Sequence, residues 1–168
     1  MLGAAVVARV AAPSDAHHFR PSAALACGVE RWTVKTLQDR PVLLRARSTT
    51  VAHLISLRRP AFLPARRSLF ERHIYSVVAA VTLVRQEDDG DLHVVLQSGR
   101  AHMITEAPNA PFCTARATAV RKRQMRVARS RVRLCARARV VGVAFWDFFH
   151  GQTGVAPNAI ELHPNADC

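Results

Sequence analysis

The chain has 168 residues, with 24 Lys and Arg against 12 Asp and Glu, and its net charge of +12 corresponds to a pI near 11.4. Hydrophobic residues make up 49% of the chain and aromatic residues 6%, so one domain with a modest core is possible. These values exclude collagen-like, wholly disordered and acidic solvating proteins. No apolar run reaches the roughly 18 residues that a membrane span needs.

The amino-terminal 26 residues are predicted to lie outside the folded domain. Met1–Ala12 is apolar except for Arg9 and resembles a weak export signal, but no positive charge precedes the apolar stretch and Arg9 divides it. We therefore interpret residues 1–26 as a disordered leader or a degenerate signal segment. Residues 27–164 are predicted to form a single β-rich domain, and residues 165–168 a tail.

The first part of the domain gives mixed signals. Glu30–Leu37 alternates enough to predict a first strand, with alternate residues on one face. Thr50 before Val51–Ile55 predicts a short helix with an N-cap. Two prolines within residues 58–67 predict an extended linker there.

The strongest β signal lies in the middle of the chain. Ile74–Arg85 is rich in β-branched residues, and Leu92–Gln97 follows after the acidic segment 87–91. Gly90 can take a positive φ in the turn between them. A second turn leads into His102–Glu106, and the segment predicts a three-stranded meander.

The last part of the domain predicts a helix followed by two strands. Ala115–Ala128 has helical spacing with a thin apolar face, Arg131–Phe149 returns to alternation, and Asn158–His163 follows a Gly-rich turn. Three strands, a helix and two strands is the element order of a small five-stranded barrel of the OB type. The sequence therefore predicts a mainly β fold with one helix and an OB-like barrel, with another small α+β sheet as the alternative.

Positive charge is concentrated in the region 114–138, an Arg-rich helix or insert. Lys35 and Lys122 are the only lysines, and no acidic residue occurs between Glu106 and Asp147. Such a block could bind nucleic acid or another anionic surface without sequence specificity. A solvated, Arg-biased face, as a GC-rich reading frame produces, is the alternative. The candidate nucleic-acid-binding residues are Arg116, Arg121, Lys122, Arg123, Arg126, Arg129 and Arg131.

The four cysteines are Cys27, Cys113, Cys135 and Cys168, and none forms a CxxC pair. This spacing excludes a zinc ribbon and a CxxC redox motif. Cys27 and Cys113 lie outside the charged block, each beside a predicted strand, and are the preferred disulfide pair in an oxidising compartment. In a cytoplasm, two free buried thiols are an equal alternative.

The carboxy-terminal third resembles the signature of an uncharacterised family of small bacterial proteins. The residues that carry the resemblance are 145–158 (FWDFFHGQTGVAPN) and 160–164 (IELHP), with further similarity at 26–36, around Pro60 and at 87–96. The resemblance implies no particular activity. It implies export or a cell-envelope location, with a cytoplasmic location if the leader is not a working signal. The Arg-rich segment after Cys113 and the end 165–168 depart from the family pattern.

Histidines and carboxylates at one end of the predicted barrel form a candidate divalent-metal site. On the final strand Glu161 and His163 should share one face, while Ile160 and Leu162 point to the other. Neutral imidazoles and carboxylates together suit divalent transition metals. The alternative is that these are exposed polar positions, or that His150 and Asn158 fasten the structural loop. The candidate metal ligands are Asp91, His93, Asp147, His150, Glu161 and His163, and the loop residues are Gly151, Gly154, Pro157 and Asn158.

A second similarity points to hydrolysis of phosphodiesters. Segments 89–91 and 105–108 are loosely similar to the calcium-site stretch of thermonuclease-type nucleases, but Arg100 is the only arginine between them and lies in a turn. The preferred interpretation is a small β-barrel that acts as a binding or structural module and not as an enzyme. A metal-dependent phosphodiesterase and a non-specific nucleic-acid-binding protein are the alternatives, and a divalent metal is the candidate cofactor.

Overall fold

The computed structural model describes residues 31–36, 38–39, 43–109, 113–149 and 151–167. No helix in these ranges is both long and apolar enough to cross a membrane. The elements, in chain order, are α1 (Trp32–Lys35), β1 (Leu43–Ser48), α2 (Val51–Ser56), a 3-10 turn (Phe70–Arg72), β2 (His73–Gln86), β3 (Leu92–Ser98), β4 (Ala101–Ala107), α3 (Ala119–Arg131), β5 (Cys135–Trp146) and β6 (Ile160–Asp167).

Five strands close into a barrel in the order β2-β3-β4-β6-β5, with β5 returning to β2. The 14-residue strand β2 makes closure possible, because residues 74–81 pair with β5 while residues 80–86 pair with β3. The β4–β6 pair is parallel and the other pairs around the barrel are antiparallel. Strand β1 adds to β2 in parallel, outside the closed circuit. The predicted mainly β, OB-like barrel is confirmed.

The barrel interior is filled by alternate residues of its strands. Val94 and Leu96 of β3 and Ile160 and Leu162 of β6 belong to one buried cluster. Because successive strand residues point to opposite faces, the residues between them lie on the outer side of the barrel. This alternation places His93, Glu161 and His163 on the outside, where most sheet residues of a small barrel would meet water.

The meander and the α2 helix agree with the sequence prediction. Thr50 caps α2, its side chain accepting a hydrogen bond from the His53 N–H. Gly90 has φ +84° in the turn between β2 and β3, as the turn chemistry requires. Residues 58–67 form neither a helix nor a strand, as predicted.

Several elements differ from the sequence prediction. The last strand runs to Asp167, past its predicted end at His163 and into the predicted tail. The described part of 30–37 is the helix α1 rather than a strand, since its side chains are held by distant partners and not by a neighbouring strand. Strand β1 was not predicted, because it is a short edge strand with exposed arginines. Helix α3 begins four residues late, at Ala119, because Thr118 supplies the N-cap by accepting from the Arg121 N–H.

Candidate functional site

The outer face of β3, β4 and β6 carries a group of ionisable side chains that is buried rather than exposed. His93 pairs across the hairpin with Glu106, and Glu161 pairs with Ile104 of the same strand β4. We call the group the buried ionic cluster. Its members are each at most 7% exposed and are Lys35, His93, Glu106, Asp147, Glu161 and His163.

The cluster is covered by α1 and by the loop 147–159 that joins β5 to β6. Lys35 of α1 reaches Glu106, and the Thr153 carbonyl accepts a hydrogen bond from His93 Nε2 at 2.7 Å. Gly154 allows the loop to lie against β3, because a Cβ there would be 2.5 Å from Val95 Cγ2 and its φ is +80°. This position therefore requires glycine.

Lys35 is the cation of the cluster. Its Nζ lies 2.7 Å from Glu106 Oε2 and 3.3 Å from Asp147 Oδ2. Burial by itself would lower the pKa of Lys35, but the carboxylates of Glu106, Glu161 and Asp147 outweigh it and raise the pKa above its ordinary value. The ammonium group therefore stays charged inside the protein.

Glu161 and His163 are buried without hydrogen-bond partners. Both carboxylate oxygens of Glu161 and both ring nitrogens of His163 lack a partner among the described residues. Burial, then Glu106 and Asp147, raises the pKa of Glu161 well above its usual range. Burial, then Lys35, lowers the pKa of His163 well below its usual range. Buried polar atoms are rarely left unsatisfied in native proteins, so these four need an explanation.

Glu106 belongs to two groups of possible metal-binding atoms. One atom each of Glu106, Glu161 and His163 lies within 4.8 Å of the other two, and the same holds for Glu87, His93 and Glu106. Since His93 Nε2 donates to Thr153, its Nδ1 faces the carboxylates, 3.4 Å from Glu87 Oε1 and 4.0 Å from Glu106 Oε1. The second group is closer to solvent, because the Glu87 side chain is 22% exposed.

The structure brings together four of the six predicted metal ligands, namely His93, Asp147, Glu161 and His163. Asp91 is buried beside them, but its Oδ1 accepts a hydrogen bond from the Asn109 N–H at 2.7 Å. Burial raises the pKa of Asp91 to about 7, against a lowering effect of that hydrogen bond. His150 lies outside the described residues. The alternative that these positions are exposed is wrong for the five described ones.

Sequence reasoning missed Lys35 and Glu106 as members of the cluster, and Glu87 as a member of the second group of possible metal-binding atoms. Strand alternation could have found Glu106, because it faces His93 across the β3–β4 hairpin. No local signal could have found Lys35, which is 71 residues from Glu106. Its place depends on how α1 packs on the barrel.

A second group of buried charges holds the α1 segment to the carboxyl end of β5. The Arg31 guanidinium donates to both Glu71 carboxylate oxygens, at 2.6 and 2.9 Å, and to the Trp146 carbonyl. The fully buried Arg67 donates to Asp39 and to the carbonyls of Glu71 and Val34. Burial by itself would raise the pKa of Glu71, but the hydrogen bonds from Arg31 and Ser68 lower it below its usual range.

The Arg-rich segment forms α3 and the turn before it. Met125 and Ala128 are the buried residues of the helix. Arg116, Arg123 and Arg126 are exposed, and none of them pairs with an acid in the described ranges. We call these three residues the arginine surface.

Other predicted nucleic-acid-binding residues have local partners or partial burial. Arg129 donates to the Ala107 carbonyl at 2.9 Å and so ties α3 to β4. Arg121 donates to Gln124 within the helix, and Lys122 is half-buried. Arg131 is exposed and has an interaction partner.

Of the four predicted loop residues, Asn158 has the clearest structural role. Its Nδ2 donates to the carbonyls of Leu54 and Leu57, at 3.0 and 2.9 Å, and so fastens the loop to the end of α2. Pro157 and Gly151 are exposed, and Gly151 has φ +77°.

Two of the four cysteines, Cys113 and Cys135, lie in the described ranges. Cys113 is buried, and neither Cys113 nor Cys135 is a free thiol. Cys27 and Cys168 lie outside the described residues, so the Cys27–Cys113 pairing stays a prediction.

The fold and the sites define a small OB-like β-barrel with a buried ionic cluster on its outer face and a basic helix between β4 and β5. The sequence matches no protein-family profile and no curated protein. Among solved structures, it is similar to a Leishmania major Friedlin protein assigned as an aspartyl-tRNA synthetase, with 14% identity and a TM-score of 0.45. The match covers 76% of this chain and 22% of that protein. A likeness at this level establishes neither a family nor a function.

Proposed function

We propose that this protein is a non-catalytic binding module that binds the phosphate backbone of duplex nucleic acid through its arginine surface, without sequence specificity. The observation that carries the proposal is the exposure of Arg116, Arg123 and Arg126 without acidic partners in the described ranges. Arginines that are not neutralised within the protein can replace the counterions of phosphate groups. The net charge of +12 adds long-range attraction to a polyanion.

The surface that OB folds commonly use for ligands is covered here. In OB barrels, oligonucleotides bind on the second and third barrel strands and on the two loops beside them. The corresponding strands are β3 and β4, and their outer face around His93 and Glu106 lies beneath α1 and the loop 147–159. This part of the usual ligand face is therefore closed, whereas the arginine surface is open to solvent.

The cover that α1 and the loop 147–159 form over this face also argues against the phosphodiesterase alternative. Four residues of the cluster could ligate a catalytic metal near β4 and β6. Each of them is at most 6% exposed, and they are Glu106, Asp147, Glu161 and His163. A catalytic metal site keeps an open position for water or substrate. These four residues therefore offer no open position to a phosphodiester.

Duplex nucleic acid fits the arginine surface better than single strands or a membrane. No aromatic residue occurs between Phe112 and Phe145, so the segment lacks the side chains on which unpaired bases stack. A helix that lies in a membrane interface needs a broad apolar face, whereas α3 is basic on most sides and buries only Met125 and Ala128.

The test is fluorescence anisotropy with a short random-sequence DNA duplex between about 50 and 200 mM salt. We expect the R123Q/R126Q variant to reduce the slope of log affinity against log salt by about two. The matched control is R58Q/R66Q, which removes the same charge from two exposed arginines outside α3. A wild-type protein that does not bind, or equal losses in both variants, would contradict the proposal.

Two competitor ligands complete the experiment. A single strand of the same length should bind more weakly than the duplex, because it offers bases that this surface cannot stack. Vesicles of anionic lipid should compete poorly. Tighter binding to either competitor would assign the arginine surface to a different partner.

A further inference from the structure

We propose that Glu106, Glu161 and His163 form a closed binding site for one divalent cation, most favourably Zn²⁺. The site lies on the outer face of β4 and β6, beneath the α1 segment. It is separate from the arginine surface and does not depend on nucleic-acid binding.

The first support is geometric. A donor atom of each of the three residues lies within 4.8 Å of the other two, so small shifts of the side chains would bring all three onto one ion. Two side chains of the set have all of their polar atoms buried without hydrogen bonds among the described residues, and they are Glu161 and His163. Glu161 is 0% exposed and His163 is 6% exposed, so bulk water does not satisfy these atoms. A cation bound between Glu161 and His163 would give these atoms a partner.

The second support is the charge of the surroundings. The ammonium group of Lys35 is paired with Glu106 and Asp147, and the buried carboxyl group of Glu161 lies near it. Lys35 Nζ lies beside Glu106 Oε2 and Asp147 Oδ2 and makes no hydrogen bond or ion pair to Glu161 within the described part of the chain. Burial without a partner disfavours the charged form of the Glu161 carboxyl group, and a divalent cation would compensate that charge.

The donor set selects the kind of cation. Ca²⁺ and Mg²⁺ prefer sites made of oxygen atoms, while an imidazole nitrogen suits Zn²⁺ and other transition metals. Two carboxylates and one imidazole would supply three of the four ligands of a tetrahedral Zn²⁺ ion, and all three are of the types that Zn²⁺ takes. Because every ligand is buried, the ion would stabilise the packing of β4 against β6 rather than bind a substrate.

Metal content and affinity test the proposal directly. The protein is purified without a histidine tag, dialysed against a chelator and titrated with Zn²⁺, with calorimetry and elemental analysis as readouts. We expect one equivalent to bind and to raise the melting temperature. We expect E161Q and H163Q each to weaken the affinity at least tenfold, because each removes one ligand. No bound zinc in the wild type would overturn the proposal.

Matched variants separate this site from its neighbours. The exposed Asp88 and His102 provide controls, and D88N and H102Q should bind zinc as the wild type does. H93Q should also retain the ion; loss of zinc in H93Q together with retention in E161Q would place the ion at the Glu87–His93 group and overturn the proposal. Circular dichroism checks that each variant folds.

A second measurement does not need any variant. Co²⁺ in place of Zn²⁺ reports its ligands by absorption, and bands of nitrogen and oxygen coordination are expected. A strong thiolate-to-cobalt band would show that cysteines hold the ion and would refute the site. Duplex binding measured with and without chelator should be the same, so failure of this site and failure of the proposed function can be told apart.

Discussion

Replacing Lys35 by methionine should destabilise the protein strongly. Met keeps most of the length and apolar volume of the side chain, so the main change is loss of the ammonium group beside Glu106 and Asp147. At 2.7 Å and an effective dielectric constant of about 20, the attraction to Glu106 is about 6 kcal/mol. Part of it is offset because the variant no longer buries an ammonium ion, and removal of one partner of a buried pair costs about 3–5 kcal/mol.

The assay is equilibrium unfolding by denaturant and by heat, in the presence of a chelator so that no cation replaces the ammonium group. A loss of this size corresponds to a decrease of about 10 °C in the melting temperature of a chain of this length. Lys122 is the only other lysine and is half-buried, so K122M is the control and should change stability by less than about 0.5 kcal/mol.

A double variant tests the physical reason. In K35M/E106Q the Glu106 carboxylate that has lost its partner is also removed, and stability should return partly toward the wild type. If K35M were as stable as K122M, or if the double variant were no better than K35M, the view that Lys35 compensates buried carboxylates would be refuted.

Two further predictions concern positions outside the cluster. Burial would raise the pKa of Glu71, but the hydrogen bond from Arg31 helps to lower it below its ordinary value of 4.5. The ionised Glu71 carboxylate therefore stabilises the folded state above pH 4.5, and this contribution is lost as the pH falls below that value. E71Q should therefore show a flatter decrease of unfolding free energy between about pH 5 and pH 3, and an unchanged slope would count against this pair. G154A should be less stable than G151A by about 1–3 kcal/mol, because both have positive φ but only Gly154 lies against Val95. Equal melting temperatures of G154A and G151A would show that the loop moves away from Val95 without loss of stability.

The strands of the barrel are largely determined by local sequence. β2 and β3 are rich in β-branched and other apolar residues, and the turns around Gly90 and Gly99 contain residues that accept positive φ. Alternation along the last strand predicted that Glu161 and His163 share a face opposite Leu162. These features depend on neighbours within a few residues, so they can be predicted without the tertiary structure.

The short elements around the barrel depend on distant residues instead. A four-residue helix such as α1 is too short to be stable alone. It is held by Arg31 contacting Glu71, 40 residues away, and by Lys35 contacting Glu106, 71 residues away. The alternation in this segment therefore predicted a strand that does not form.

The sequence by itself determined the five barrel strands, the turns and the face that Glu161 and His163 share. Only the tertiary structure decided that this side is buried. α1 and the loop around Gly154 cover it, which removes Glu161 and His163 from water and leaves their polar atoms without partners among the described residues. Burial is a property of what packs over a surface, and the residues that pack here are remote in the chain.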